Sequence, residues 1–366
     1  MLFSTGFSDL SGGMTGGHRR ARQLFELLRR TEREVVLAEP VRDTIGAGLR
    51  RADWSTVGNY MRTVRRGPLD RLRVGAGFAR NYGDWRRGLA LHPRARLLVW
   101  EDTMNGHTVR AAKDAGLHVV AVPQNLESLV PGLRDGRTGQ GMPWSLEHEV
   151  AQLSRADRVY TISREEQWLL RLRGVAAEYL PFFPDRAQRE RWLTLRADRN
   201  PNRAPFDRTL VLGSAVNPPT QAGMAELLGW MASTPPSSLS AVKVIGYGTE
   251  IFRDLQNSQI EVLGALPDEA LREHLLRARA VILHQPAAVG ALIRVSEMLL
   301  AGVPVFANPI AARSTSQYEG VAVYESFAEL ASLLADPERL VSPPAPAPPT
   351  AFEDAFLETI SSWIRP

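Results

Sequence analysis

The sequence holds no cysteine, which excludes disulfides and cysteine–metal sites. Lysine is nearly absent: Lys113 and Lys243 are the only two, and arginine supplies the rest of the 44 basic residues. That bias reads as the coding habit of a GC-rich genome rather than as function. No apolar run approaches the ~18 residues of a membrane span. Met1 leads straight into Leu2-Phe3-Ser4, so no signal peptide is read and a cytoplasmic setting is expected. Catalytic signatures are missing as well. There is no Asp-x-Asp, G-x-G-x-x-G or G-K-[ST], no zinc-ligand spacing, no serine elbow and no kinase set. No nucleic-acid-binding module is recognisable, so nucleic acid is not expected as a partner.

What is present is a chain of 366 residues, long enough for two domains with separate cores. Its charge is uneven. Residues 1–200 carry 33 Lys+Arg against 23 Asp+Glu, whereas residues 201–366 carry 11 against 17. The first half is therefore the one expected to face an anionic partner.

The most informative stretch runs through residues 280–313. Val281, Ile282 and Leu283 form a short apolar run, read as a buried strand. His284-Gln285-Pro286 breaks it. Gly290 is expected to open a helix with Val295, Met298 and Leu299 inward, Ala301-Gly302 to close it, and residues 303–307 to form the next strand. This is the strand–loop–helix–strand repeat of a parallel α/β sheet. Arg294 and Glu297 are three apart and share a helix face. Small residues at a helix start with a nearby cation suit a diphosphate. A carboxylate one turn on can accept hydrogen bonds from a ribose. An ordinary surface pair is the plainer reading of any one Arg/Glu pair.

Other segments repeat the alternation. Residues 1–6 read as a first strand, followed by a loop carrying Gly12, Gly13, Gly16 and Gly17 and by a helix with Leu24, Leu27 and Leu28 inward. Glycines there let backbone approach a ligand closely. His18 sits at the helix start, where it can face a ligand. Strands are expected at 34–39, 96–101, 117–123, 209–213, 242–246 and 260–264. Ligands in open α/β sheets bind beyond the carboxyl ends of such strands. Those ends carry Glu101 and Asp102, then Gln124, Asn125 and Glu127, then Ser214 and Asn217, then Gly246. Ser163 and Glu166 have the spacing of a capping box. Residues 50–96 mix arginines with Trp54, Tyr60, Phe78, Tyr82 and Trp85, which suits anionic headgroups and peripheral membrane contact. Two solvated amphipathic helices explain the same composition. Residues 132–144 read as a mobile loop.

The residues of the 280–313 stretch resemble the nucleotide-sugar site of GT-B glycosyltransferases, especially family 4. That segment reads G-x-x-x-K/R-x-x-E-A-L-A-x-G-x-P-V-V-A, and here it stands as Gly290, Arg294, Glu297, Met298-Leu299-Leu300, Ala301-Gly302 and Pro304-Val305. Residues 156–163 resemble the family phrase A-D-x-V-x-x-x-S, and residues 260–268 its V-x-x-L-G-x-x-x-D. The sequence departs at Val289, where many members carry a glutamate, and at Gln124, where they carry a histidine. It also lacks the Arg and Lys of the loop after the first C-terminal strand, which leaves Arg294 as the main phosphate cation.

The resemblance implies a GT-B fold, two Rossmann-like domains with parallel sheets facing across a cleft. An acceptor domain is expected over 1–184 and a donor domain over 205–340, with the helix of 351–366 crossing back onto the first. It implies a retaining transferase that moves a sugar from a nucleoside-diphosphate sugar to a glycan, lipid-linked or small-molecule acceptor, with no cofactor or metal required. Donor contacts then fall to Gly12, Gly13, Gly16, Gly17, Ser214, Asn217, Gly246, Gly290, Ala291, Leu292, Arg294 and Glu297. Arg294 has the catalytic role of stabilising the departing diphosphate, and Gln124, Asn125, Glu127 and Asp102 lie near the sugar or acceptor. Val289 and Gln124 keep a second reading open, a non-catalytic GT-B protein that binds a nucleotide or a partner. A sugar-nucleotide epimerase is the third.

Overall fold

A computed structural model describes residues 1–7, 15–42, 68–103, 106–132, 145–200, 202, 205–233 and 241–364. The chain divides into two compact units, residues 1–181 with 349–366, and residues 182–348.

The first unit holds six parallel strands: β1 (Leu2–Ser4), β2 (Val36–Leu37), β3 (Leu97–Trp100), β4 (His118–Ala121), β5 (Arg158–Thr161) and β6 (Ala177–Tyr179). Their order is β2-β1-β3-β4-β5-β6. The helices are α1 (Gly16–Arg29), α2 (Pro68–Ala90), α3 (Gly106–Asp114), α4 (Leu146–Leu153) and α5 (Arg164–Leu172). Parallel strands covered on both faces need apolar side chains at consecutive positions. β3 shows why: Leu98 and Trp100 enter one core with Val109 and Leu153, whereas Leu97 and Val99 enter another with Leu24 and Leu28. The C-terminal helix, Thr350–Ile364, belongs to this unit. Its Phe356 and Ile360 are buried beside Leu24, and Thr359 Oγ1 lies 2.7 Å from the Tyr160 hydroxyl.

Over its described residues, helix α2 favours the amphipathic-helix reading of residues 50–96. Tyr82, Trp85 and Leu89 pack into the core, while Arg86 points to solvent. These aromatics are the inward face of an amphipathic helix and are not available to a membrane. Residues 43–67 of that segment lie outside the described residues, as do 133–144 of the expected mobile loop. Among the described residues no helix is long and apolar enough to cross a membrane.

The second unit repeats the plan. It begins with α6 (Arg186–Asp198), inside what the sequence suggests is a connector, and Arg196 of that helix donates to the carbonyl of Leu300 at 2.9 Å. Then follow β7 (Arg208–Leu212), α7 (Pro218–Ser233), β8 (Ala241–Ile245), β9 (Ile260–Gly264), α8 (Asp268–Leu276), β10 (Ala278–Leu283), α9 (Arg294–Leu300), β11 (Val305–Ala307), α10 (Pro309–Ala312), β12 (Val321–Val323) and α11 (Phe327–Ala335). The strands are parallel in the order β12-β11-β10-β7-β8-β9. Val281 and Leu283 of β10 face one core, and Ala280 and Ile282 the other.

Helix α9 starts at Arg294, not at Gly290. Gly290 has φ +70°, a left-handed conformation that no helix continues through. The helix end is as the sequence suggests. Gly302 has φ +75°, its N–H bonds the Leu299 carbonyl at 3.1 Å, and the Val303 N–H bonds the Met298 carbonyl at 2.9 Å. That is a Schellman closure.

Candidate functional site

In both units the residues of interest lie beyond the carboxyl ends of the strands, where the loops of a parallel sheet gather. In the second unit the central feature is the turn between β10 and α9. Glu297 is fully enclosed, and Arg294 Nη1 lies 3.6 Å from its Oε2. Arg294 is partly exposed and lies over the carboxylate. Because α9 starts at Arg294, that residue is the first of the helix and not one turn inside it. Gly290, Ala291 and Leu292 form the loop that precedes it.

The sequence gives no hint of what shapes that loop. Arg313, 23 residues later, donates from Nε to the Gly290 carbonyl at 2.6 Å, from Nη2 to the Val289 carbonyl and from Nη1 to Gln285 Oε1 at 2.9 Å. Gln285, itself buried, reaches Thr220 Oγ1 at 3.2 Å and exchanges hydrogen bonds with Asn308. Asn308 also caps α10. With the Val289 and Gly290 carbonyls held on Arg313, planar peptide geometry turns the N–H groups of Gly290 and Ala291 the opposite way. Two backbone donors side by side suit an anion.

The other predicted donor-side residues of this unit have visible structural roles. Asn217 caps α7, its Oδ1 accepting from the Thr220 N–H at 3.4 Å, and the Ser214 carbonyl accepts from the Asn217 N–H at 3.2 Å. Gly246 closes β8 with φ +147°.

In the first unit, Gly16 and Gly17 open α1, capped by Thr15, whose Oγ1 accepts from the His18 N–H at 3.4 Å. Gly12 and Gly13 lie outside the described residues. The His18 ring sits 3.8 Å from that of Phe7. Beyond β3, Glu101 is buried and accepts from Thr5 Oγ1 at 2.8 Å and from Gln124 Nε2. Burial pushes its carboxyl up to about 7, although the hydrogen bonds from Gln124 and Thr5 oppose the shift. Asp102 is its neighbour in the same loop and is partly exposed. His107 is buried inside α3, and burial drives its pKa down to about 3. That favours a neutral core residue.

The loop after β4 carries Gln124, Asn125 and Glu127. Asn125 Nδ2 donates to Glu127 Oε1 at 3.2 Å. Two buried glutamates from separate helices fix this loop. Glu149 of α4 accepts from the N–H groups of Glu127 at 2.8 Å and Ser128 at 2.9 Å, and Glu166 of α5 accepts from the Leu126 N–H at 2.7 Å. Ser163 caps α5 as its spacing suggests, and it also donates to Glu166 at 2.9 Å. Glu127 is pushed up to about 7, first by burial and then by Glu149, Glu166 and Asp102, with Asn125 opposing. The first unit therefore gathers buried carboxyls whose pKa values are raised by burial, and the second an Arg–Glu pair beside backbone donors.

No family model matches the chain, and no curated protein matches it by sequence. Solved structures do. Sucrose-phosphate synthase from Thermosynechococcus elongatus superposes with a TM-score of 0.63 at 14% identity, covering 100% of this chain and 94% of that one. HepE of Anabaena, in complex with UDP and glucose, gives 0.58 at 14% identity and 99% coverage of both. α,α-Trehalose 6-phosphate synthase from Burkholderia multivorans gives 0.58 at 10% identity, covering 99% of this chain and 96% of that one. These relatives are GT-B glycosyltransferases, and identities this low carry the fold alone. The fold is GT-B, with two Rossmann-like units.

Proposed function

We propose that this chain is a glycosyltransferase that moves a sugar from a nucleoside-diphosphate sugar to an acceptor hydroxyl, in the manner of family 4. The observation that carries the reading is the Arg294–Glu297 pair beside the Gly290–Ala291 loop. A donor of this class presents an anionic diphosphate and a ribose diol. The loop N–H groups and Arg294 match the first, and Glu297 matches the second. Arg294 Nη1 lies 3.6 Å from the Glu297 carboxylate, and in the donor complex the guanidinium turns toward the diphosphate.

Charge builds on the diphosphate as the sugar leaves, so a cation placed there favours the transition state over the bound donor. Arg294 supplies that charge, with no metal or cofactor required. Gln124 is not a base. In a retaining transfer the donor's own phosphate takes the acceptor proton, and Gln124, Asn125, Asp102 and Glu127 bind and orient hydroxyls. The HepE structures hold UDP, UDP with glucose, or UDP-glucose, which supports the donor class.

The test is a thermal-shift screen of the full chain against nucleoside diphosphates and their sugars, followed by nucleotide release with the best donor. A ligand that binds only the folded state raises the melting temperature by mass action. Stabilisation with turnover supports the reading. Stabilisation without turnover favours a non-catalytic nucleotide-binding protein, and epimerised donor would favour an epimerase. No stabilisation by any member of the panel overturns the donor assignment.

A further inference from the structure

Gln124 is half-buried and its amide has two ends of opposite character, a donating nitrogen and an accepting oxygen. Which end faces a ligand depends on what holds the other. An ionised carboxylate can only accept, so contact with Glu101 commits the nitrogen. Both Glu101 oxygens are engaged, Oε1 with Gln124 and Oε2 with Thr5 at 2.8 Å, so the carboxylate has little freedom to turn. The Gln124 oxygen then lies at the first turn of α1. A Cβ on residue 17 would stand 2.5 Å from Gln124 Oε1, 2.7 Å from the Phe7 ring and 3.0 Å from Gln124 Nε2, so glycine at that position is what lets the amide lie there.

We propose that Glu101 is a positioning residue whose carboxylate locks the Gln124 amide in one orientation, with Oε1 presented as a fixed hydrogen-bond acceptor for a sugar hydroxyl. The choice of a sugar hydroxyl rests on the glycosyltransferase reading above. The lock does not.

The lock has a pH dependence. Burial pushes the Glu101 carboxyl up to about 7; hydrogen bonds from Gln124 and Thr5 oppose this, Asp102 adds to it, and the Gly6 N–H opposes it. Arg20 of α1 is the cation that feels the Glu101 charge. Once Glu101 takes a proton it becomes a donor, and its natural partner is the Gln124 oxygen. The amide is then free to reverse and present its nitrogen. One site thus offers an acceptor above neutrality and a donor below it.

The experiment uses the full chain with selectively 15N-labelled glutamine, the Gln124 side-chain signals being assigned by their loss in Gln124→Leu. Those signals should titrate with a midpoint near 7 in the wild type and stay flat in Glu101→Gln. Thr5→Val removes one hydrogen bond from the carboxylate and none from the amide, so it should move the midpoint upward. Signals that do not move between about pH 5.5 and 8.5, or that move equally in Glu101→Gln, overturn the proposal. The second arm is nucleotide release from the best donor. Glu101→Gln should lower kcat/KM about 10-fold above neutrality, the value of one hydrogen bond, and should erase the acid limb. If the wild type turns over and Glu101→Gln matches it at every pH, the positioning role is wrong and the glycosyltransferase reading stands. If no donor turns over while the amide still follows Glu101, the positioning role stands and the glycosyltransferase reading falls.

Discussion

Gly246 packs backbone to backbone against Gly213, so that a Cβ on Gly246 would fall within the Gly213 carbonyl. The two residues end neighbouring strands. The Gly213 N–H bonds the Ile245 carbonyl at 3.2 Å, and the Ala215 N–H bonds the Tyr247 carbonyl at 2.8 Å. Together they set the spacing of the β7 and β8 loops. Gly246→Ala meets both a clash with backbone and a φ of +147°. It should destabilise the second unit by roughly 1–3 kcal/mol or more, read as a lower urea midpoint with little change in slope. An unchanged midpoint would show that the loops can part without loss.

Arg20 is a fully buried cation of the first unit. Its Nη2 donates to the Leu180 carbonyl at 2.7 Å and its Nη1 to Pro181 at 3.2 Å and to Gln23 Oε1 at 2.6 Å. Burial lowers its pKa to about 10, so it stays charged at neutral pH. Arg20→Met keeps the stem but leaves the Leu180 carbonyl and Gln23 Oε1 without their Arg20 donor, while the Pro181 carbonyl keeps its bond from Gln23 Nε2 at 3.0 Å. Each buried acceptor left unpaired costs about 1–3 kcal/mol, so a loss of several kcal/mol is expected in chemical denaturation. Arg20→Lys should recover only part, because an ammonium cannot reach the same acceptors in a planar fork. Full recovery by lysine would mean that charge alone matters.

Stability should respond to pH through two buried groups of opposite sign. Glu101 has a folded pKa of about 7 against an ordinary 4.5. The folded state holds its proton more tightly than the unfolded state. Its contribution is therefore complete below about 4.5 and is lost as pH rises through 7, at about 3 kcal/mol in all. His107 is lowered from 6.5 to about 3. Its neutral form is the favoured one, so its contribution is present above 6.5 and is lost as pH falls toward 3. Unfolding curves of Glu101→Gln minus wild type should gain stability from pH ~4.5 to 7. His107→Gln minus wild type should gain it as pH falls below ~6.5. Parallel curves for either pair would remove the shift assigned to that residue.

The strands were legible because parallel strands covered on both faces must be continuously apolar, as Val281, Ile282 and Leu283 are. The close of α9 was legible because Gly302 is the local signal for it. Its start was not. Gly290 looks like a helix opener, but Arg313 holds the loop carbonyls from 23 residues away, and neither helical nor strand periodicity relates residues at that separation. The same is true of Glu149, which fixes the Glu127–Ser128 turn from another helix. For Trp85 and Tyr82 the sequence leaves two readings open, since aromatics among arginines describe the two faces of one helix as well as a lipid surface, and packing assigns them to the core.

On the proposed function the decisive pair is Arg294 and Glu297, and the burial of Glu297 shapes the expected result. Glu297→Gln keeps the shape and removes the charge. A charge-assisted hydrogen bond is worth about 1.5–3 kcal/mol, so nucleoside-diphosphate affinity should fall roughly 10-fold to 100-fold in calorimetric titration. Arg294→Ala breaks the contact with Glu297 and, on the proposed function, takes away the cation that meets the departing diphosphate. It should reduce turnover more than ground-state binding, because leaving-group charge grows toward the transition state. Melting temperature does not discriminate here: Glu297 is fully enclosed, so a purely structural pair would also lower it when broken. The discriminating quantity is the comparison of a nucleoside with its diphosphate. A site that reads ribose through Glu297 loses affinity for both in Glu297→Gln, whereas Arg294→Ala weakens only the diphosphate. If both variants bind both ligands as the wild type does, the pair holds the fold together and the donor site lies elsewhere.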